Sequence, residues 1–166
     1  MQYEGGHRIP FIAWWPGVIV PGKVTRQTVS LTDLIATCAA LAGEGLPDDA
    51  AEDSYNILPV LLGTQPVDIP IRTYTLLKTG IRRGPWKYLD HQGCGGPTRG
   101  VHSYMNPLLK PYDLPEKEPD APGQLYNLDD DPGETTNLYF KHPDIVNELK
   151  TQYELYIRSG RSAPLR

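Results

Sequence analysis

Residues 9–20, Ile9-Pro10-Phe11-Ile12-Ala13-Trp14-Trp15-Pro16-Gly17-Val18-Ile19-Val20, are almost entirely apolar and broken once, at Pro16-Gly17. An apolar run bounded by turn residues reads as a buried strand, Phe11 to Trp15, followed by a turn. A helix comes next. Ser30 and Thr32 are candidate caps, and Asp33 lies three positions after Ser30 in a capping-box arrangement. Leu31, Leu34, Ile35, Cys38, Leu41 and Ala42 then share one helical face, which makes Cys38 a small core residue, and Gly43 ends the helix. One strand with one covering helix cannot bury both faces of a sheet. Residues 1–65 therefore read as the end of a larger α/β layer, and the chain as a fragment.

Working outward, residues 44–56 are an acidic loop, Ile57 to Leu62 is a short apolar segment ending at Gly63, and Pro66 to Pro70 resembles a linker. The pattern then changes. Arg72–Leu77 and Trp86–Leu89 alternate as short strands with a turn at Gly84-Pro85, and Gln124–Leu128 is a further strand before the turn Asp131-Pro132-Gly133. Between them, about His91 to Gly123, runs a long loop rich in glycine and proline. Pro143 opens a last helix, with Ile145, Leu149, Tyr153, Tyr156 and Ile157 on one face, ending near Gly160. Two parts follow from this reading: 1–65, the incomplete α/β layer, and 66–166, an antiparallel sheet closed by a helix (α+β).

Composition narrows the class. The chain has 166 residues and a formal net charge of −4, which argues against a general nucleic-acid binder. Its 16 Gly and 17 Pro make it loop-rich, yet three Trp and ten Tyr supply material for a core. Two cysteines are too few for a disulfide framework. No stretch approaches the length of an apolar membrane span, and Met1-Gln2-Tyr3-Glu4-Gly5-Gly6 lacks the basic start and apolar centre of a signal peptide. Taken with Met1 as the true start, this reads as a cytoplasmic chain.

Charge is unevenly placed. Arg72, Lys78, Arg82, Arg83, Lys87 and Arg99 face a single acid, Asp90, between Arg72 and Arg99, whereas Asp113 to Glu134 holds eight acids and one Lys. This is either a local basic surface for an anionic ligand beside an acidic loop or a pair of solvated, partly compensating faces. No self-contained catalytic set accompanies it. His91, Cys94 and His102 lack the spacing of a metal site, and no Gly-x-Ser-x-Gly elbow or P-loop is present. Gly93-Cys94-Gly95-Gly96 is either an anion-approaching backbone nest or a flexible turn. Asp129-Asp130-Asp131 lacks the EF-hand spacing and reads as a turn whose acids cap backbone donors. His142, before Pro143 at a helix start, reads as structural.

Four stretches in order resemble the formylglycine-dependent, arylsulfatase-like sulfatases. They are Glu4-Gly5-Gly6-His7-Arg8-Ile9-Pro10 with Trp15-Pro16-Gly17; Ser30-Leu31-Thr32-Asp33-Leu34 with Ala39-Ala40-Leu41-Ala42-Gly43; Gly80-Ile81-Arg82-Arg83-Gly84-Pro85-Trp86-Lys87; and Leu125 through Leu138, which includes Asp131-Pro132-Gly133-Glu134. The likeness runs from about residue 3 to Arg161.

The resemblance implies the C-terminal end of an alkaline-phosphatase-like α/β sandwich plus a small antiparallel sheet with a C-terminal helix. It implies hydrolysis of sulfate esters of aryl or carbohydrate substrates, with calcium and a cysteine-derived formylglycine in the intact enzyme. The groups that hold those cofactors precede Glu4 in the family, so neither is expected on this chain, which is expected to be inactive alone. Cys94-Gly95-Gly96-Pro97-Thr98-Arg99 sets Pro and Arg one position too late for the family's Cys-x-Pro-Ser-Arg motif and is not assigned formylglycine. The resemblance makes His91, Gly93, Cys94, Gly95, Gly96, Arg99 and His102 the candidates for recognising the group around the sulfate, and sets Glu4, Gly5, Gly6, His7 and Arg8 near the active site. For the latter stretch the alternative is structural: Gly5-Gly6 for tight backbone packing, Arg8 paired with a buried acid. Family members are commonly periplasmic, secreted or lysosomal. A non-enzymatic module for anionic glycans using Arg82, Arg83 and Arg99, or part of a related phosphodiesterase of the phosphatase superfamily, are the competing functions. The partners the resemblance implies are sulfated carbohydrate or aryl sulfate in the intact enzyme, with no nucleic acid or membrane expected, and an exposed half-sheet predicts self-association.

Overall fold

The computed structural model describes residues 3–92, 118 and 120–165. In chain order these form α1 (Glu4–His7), a 3-10 turn (Leu31–Asp33), α2 (Leu34–Ala42), α3 (Leu58–Leu62), β1 (Thr75–Leu77), β2 (Gly80–Arg83), β3 (Trp86–Leu89), β4 (Gln124–Asn127) and α4 (Pro143–Ser159). They divide into two compact units, one made of Met1–Ile9 and Leu77–Tyr153, the other of Pro10–Leu76 and Glu154–Arg166.

The first unit is built on a sheet of order β1-β2-β3-β4. β2 and β3 pair antiparallel with Arg82 opposite Lys87 and Ile81 opposite Tyr88, and β3 and β4 do so with Lys87 opposite Tyr126 and Tyr88 opposite Leu125. Because side chains alternate, this register divides the sheet into two faces. One carries Ile81, Tyr88 and Leu125, all buried. On the same side, Arg83 pairs with Glu148 of α4 and Trp86 packs on His142 at 5.1 Å. The structural role expected of His142 is thus realised, and Val146 and Leu149 are the buried residues of α4. The other face carries Arg82, Lys87, Tyr126, Leu89 and Gln124, where Tyr3 meets Tyr126 edge-on at 6.1 Å and donates to Gln124 Oε1 at 2.9 Å.

β2 is a strand the sequence pattern passed over. Its Gly80-Ile81-Arg82-Arg83 lacks an apolar alternation, but Gly84 at φ 54° turns the chain directly into β3. Gly80 is the tight point: a Cβ there would drive into the Tyr88 carbonyl oxygen and meet Leu89 Cα at 3.0 Å. Gly80→Ala is expected to destabilise this unit by about 1–3 kcal/mol, read as a lowered urea midpoint; an unchanged midpoint would contradict the close approach.

The second unit is organised by a buried carboxylate. Ser30 and Asp33 complete the capping box, with Ser30 N–H donating to Asp33 Oδ2 at 2.7 Å. Asp33 is fully buried, also accepts from Tyr55 N–H at 3.0 Å and pairs with buried Arg72. Arg72 lies 4.3 Å from the Tyr55 ring centre; burial lowers its guanidinium to about 10, so it remains a cation at neutral pH and needs that partner. Burial first, then Tyr156 and Asp53, pushes the Tyr55 phenol up to about 12 from 10.0. The folded phenol keeps its proton after the unfolded one has lost it, so this group contributes stability below pH 10 that is lost as pH rises through about 12. Tyr55→Phe is expected to remove a phenol titrating near 12 from the tyrosinate absorbance curve; an unchanged alkaline limb would contradict the assignment.

Two sequence expectations fail in this unit. Phe11–Trp15 forms no strand: its backbone bonds are confined to the turn, with Val18 N–H and Ile19 N–H donating to the Trp15 carbonyl, and Ile12 and Trp14 are 90% and 85% exposed. An extended segment becomes a strand only where a neighbour accepts its ladder bonds, and among the described residues none does. Likewise the buried residues of α2 are Ala36 and Thr37, while Leu31, Leu34, Ile35, Leu41 and Cys38 are exposed. No described element covers that apolar face, so Cys38 is not a core residue. Gly43 and Gly63 do end α2 and α3 in the left-handed conformation.

Candidate functional site

Among the described cations of the Arg72–Arg99 run, Arg72 and Lys87 are buried, Arg82 and Arg83 are half-buried, and all four are paired. Arg72 pairs with Asp33, Arg83 with Glu148, and Arg82 with Glu4 at 3.4 Å. Lys87 is completely buried and lies 3.2 Å from Glu4 and 2.8 Å from Glu134. Neither a ligand surface nor a solvated face describes Arg72 and Lys87, because a fully buried cation is tolerated only when paired.

The Glu4–Lys87–Glu134 cluster is the most organised charged group of the first unit. Lys87 projects from β3 onto the face carrying Tyr126, whose hydroxyl donates to Gln124 Oε1 at 2.6 Å. Glu134 closes the Asp131-Pro132-Gly133-Glu134 turn at φ 54°, a left-handed conformation uncommon for a residue with a side chain. Asp131 holds that turn, accepting from the Thr135 and Thr136 N–H groups at 2.8 Å each, as expected of an acid capping backbone donors. Glu134 then accepts from the Glu4 N–H at 2.5 Å, so Glu4 is held by both backbone and side chain.

The remaining members of the predicted stretch sit around that anchor. Gly5 and Gly6 are exposed and His7 half-buried in α1, while the Arg8 N–H donates to the Glu4 carbonyl at 2.7 Å. A Cβ at Gly5 would meet nothing within 4 Å, so Gly5 shows no tight packing, and Arg8 is exposed. In the loop, His91 is half-buried, with Nδ1 3.2 Å from the Gln92 carbonyl oxygen and its own carbonyl accepting from Gln124 at 3.0 Å. Gly93, Cys94, Gly95, Gly96, Arg99 and His102 lie outside the described residues.

Lys87 and Glu134 were missed as a pair. The available signal was a lone lysine inside the otherwise apolar β3 and an acid after a Pro-Gly turn.

Among the described residues no group of three His, Cys, Asp or Glu side chains is placed to hold a metal ion. Cys38, in Thr37-Cys38-Ala39-Ala40-Leu41, has none of the Pro, Ser and Arg that the resemblance requires around a formylglycine precursor. The described residues therefore do not fit either cofactor of the family. No helix among them is long and apolar enough to cross a membrane.

Comparison with known proteins agrees with this architecture. A family model described as sulfatase matches residues 1–44. An N-acetylgalactosamine-6-O-sulfatase of Bacteroides thetaiotaomicron is 34% identical over 157 residues, covering 92% of this chain and 28% of that protein. Human arylsulfatase A is 35% identical over 163 residues, covering 89% of this chain and 30% of its own length. A solved structure from work on glycosaminoglycan metabolism by Bacteroides thetaiotaomicron superposes with a TM-score of 0.66 at 34% identity, covering 92% of this chain and 30% of that one. The fold class is thus the C-terminal portion of an alkaline-phosphatase-like sulfatase fold, with its small antiparallel sheet and terminal helix. The chain belongs to the sulfatase family and matches the C-terminal part of its relatives. It spans under a third of their length.

Proposed function

We propose that this chain is the C-terminal part of a sulfuric ester hydrolase acting on sulfate esters of carbohydrate or aryl substrates. The observation that carries the reading is a 34% identity sustained over 92% of the chain in both sequence and fold. Residues 1–65 would complete the catalytic α/β layer and 66–166 form the C-terminal subdomain. Calcium and formylglycine, which supply charge neutralisation and the nucleophile in the family, would be held by residues preceding Glu4. This chain's own contribution is to fix the Glu4–Arg8 turn and to offer His91, Gly93, Cys94, Gly95, Gly96, Arg99 and His102 toward the group around the sulfate. A guanidinium or imidazole there would donate to neighbouring hydroxyls or further sulfates. The pairing of Arg82 with Glu4 and of Arg83 with Glu148 speaks against a separate anionic-glycan module.

Turnover of an aryl sulfate by the 166-residue chain with added calcium tests the division of labour. No release above buffer is expected, and turnover that disappears on altering a residue of this chain would overturn it.

The exposed Ile12, Trp14, Leu31 and Ile35 also favour self-association of the isolated chain. Sedimentation velocity is expected to give dimers or larger species, shifted toward monomer by Trp14→Ser; a monodisperse monomer would count against it.

A further inference from the structure

The two stretches joined by the buried cluster lie 130 residues apart. Glu4 has both carboxylate oxygens engaged, one with Lys87 and one with Arg82, while its N–H goes to Glu134 and its carbonyl receives the Arg8 N–H. Residues 5–8 are thus tied to Glu4 through the Arg8 N–H and to Tyr3, whose carbonyl accepts from the Gly6 N–H at 2.8 Å. Neither packing nor a positive φ demands glycine at Gly5. On the receiving side, Glu134 keeps a left-handed backbone braced by Asp131. A strained residue persists only where its surroundings over-determine it. Here the strain aims the carboxylate at both Lys87 and the Glu4 N–H.

We propose that Lys87 and Glu134 are positioning residues: they clamp the Glu-Gly-Gly-His-Arg turn onto the C-terminal sheet and so set where His7 and Arg8 stand relative to a bound sulfate ester. The consequence for the reaction rests on the sulfatase reading above; the clamp itself does not. Glu4 is its handle and not a substrate ligand. The Asp-Pro-Gly-Glu turn and the Glu-Gly-Gly turn are accordingly two halves of one device.

Amide hydrogen exchange on the 166-residue chain tests the clamp without any turnover. In Glu134→Gln the amides of residues 4–8 are expected to exchange about tenfold faster or more, while those of β2, β3 and β4 change less than about twofold. The His7 imidazole proton resonance is expected to move toward its free-peptide position. Glu4→Gln, which alters only the half-buried end of the cluster, is expected to repeat both effects and covers the case in which Glu134→Gln fails to fold. Exchange at residues 4–8 that is unchanged in both variants, or that accelerates in step with the strands, would overturn the proposal. Either result leaves the sulfatase reading to its own turnover test, so the two fail separately.

Discussion

Replacing Lys87 by methionine is expected to lower the stability of the chain by about 3–5 kcal/mol, a large part of what a domain of this kind possesses. The side chain is fully buried, and its volume and apolar stem are largely kept in methionine, so the loss is electrostatic and not a cavity effect. What remains is the Glu134 carboxylate, 2% exposed and left without its cation, facing a Glu4 that retains only the outer contact with Arg82. Removing the orphan should restore stability: Lys87→Met combined with Glu134→Gln is expected to recover a substantial share, making the two changes non-additive. Urea denaturation checks both variants. A Lys87→Met loss below about 1 kcal/mol, or strict additivity of the pair, would contradict the assignment of Lys87 as the centre of the cluster.

Asp33→Ala is expected to produce an effect of similar size in the other unit. Three donors converge on this one buried carboxylate, the Ser30 and Tyr55 N–H groups and the Arg72 guanidinium. Loss of the cap alone costs about 1 kcal/mol. The stranded guanidinium raises the total to about 3–5 kcal/mol, because it stays charged beneath Tyr55 with no other acid beside it among the described residues. Asp33→Asn keeps the cap geometry and gives up the charge, so it should fall between wild type and alanine. Circular dichroism together with urea denaturation reads both the α2 helix and the midpoint; equal effects of the two substitutions would show that the ion pair is immaterial.

How much of this was legible beforehand depends on the range of the interaction. Ser30–Asp33, Gly43, Gly63, Gly84-Pro85, the Asp131 turn and the start of α4 at Pro143 are local devices, each decided within four or five residues, and each is found where the pattern put it. Phe11–Trp15 and the outer face of α2 failed because strand formation and burial require partners that an apolar pattern announces but cannot supply. The charged residues failed for a related reason. A basic run counts charges along the chain, whereas Glu4, Asp33 and Glu148 reach Lys87, Arg72 and Arg83 from distances of 83, 39 and 65 residues. The family resemblance located Glu4 and Glu134 as motif members but attached no role to their meeting.

The central claim, that these residues work as the C-terminal part of a sulfatase, is tested most directly by the intact mass of the protein isolated from its native source. A species several-fold heavier than 18.5 kDa that contains the sequence from Glu4 to Arg161 is expected. A native species of 18.5 kDa would contradict it.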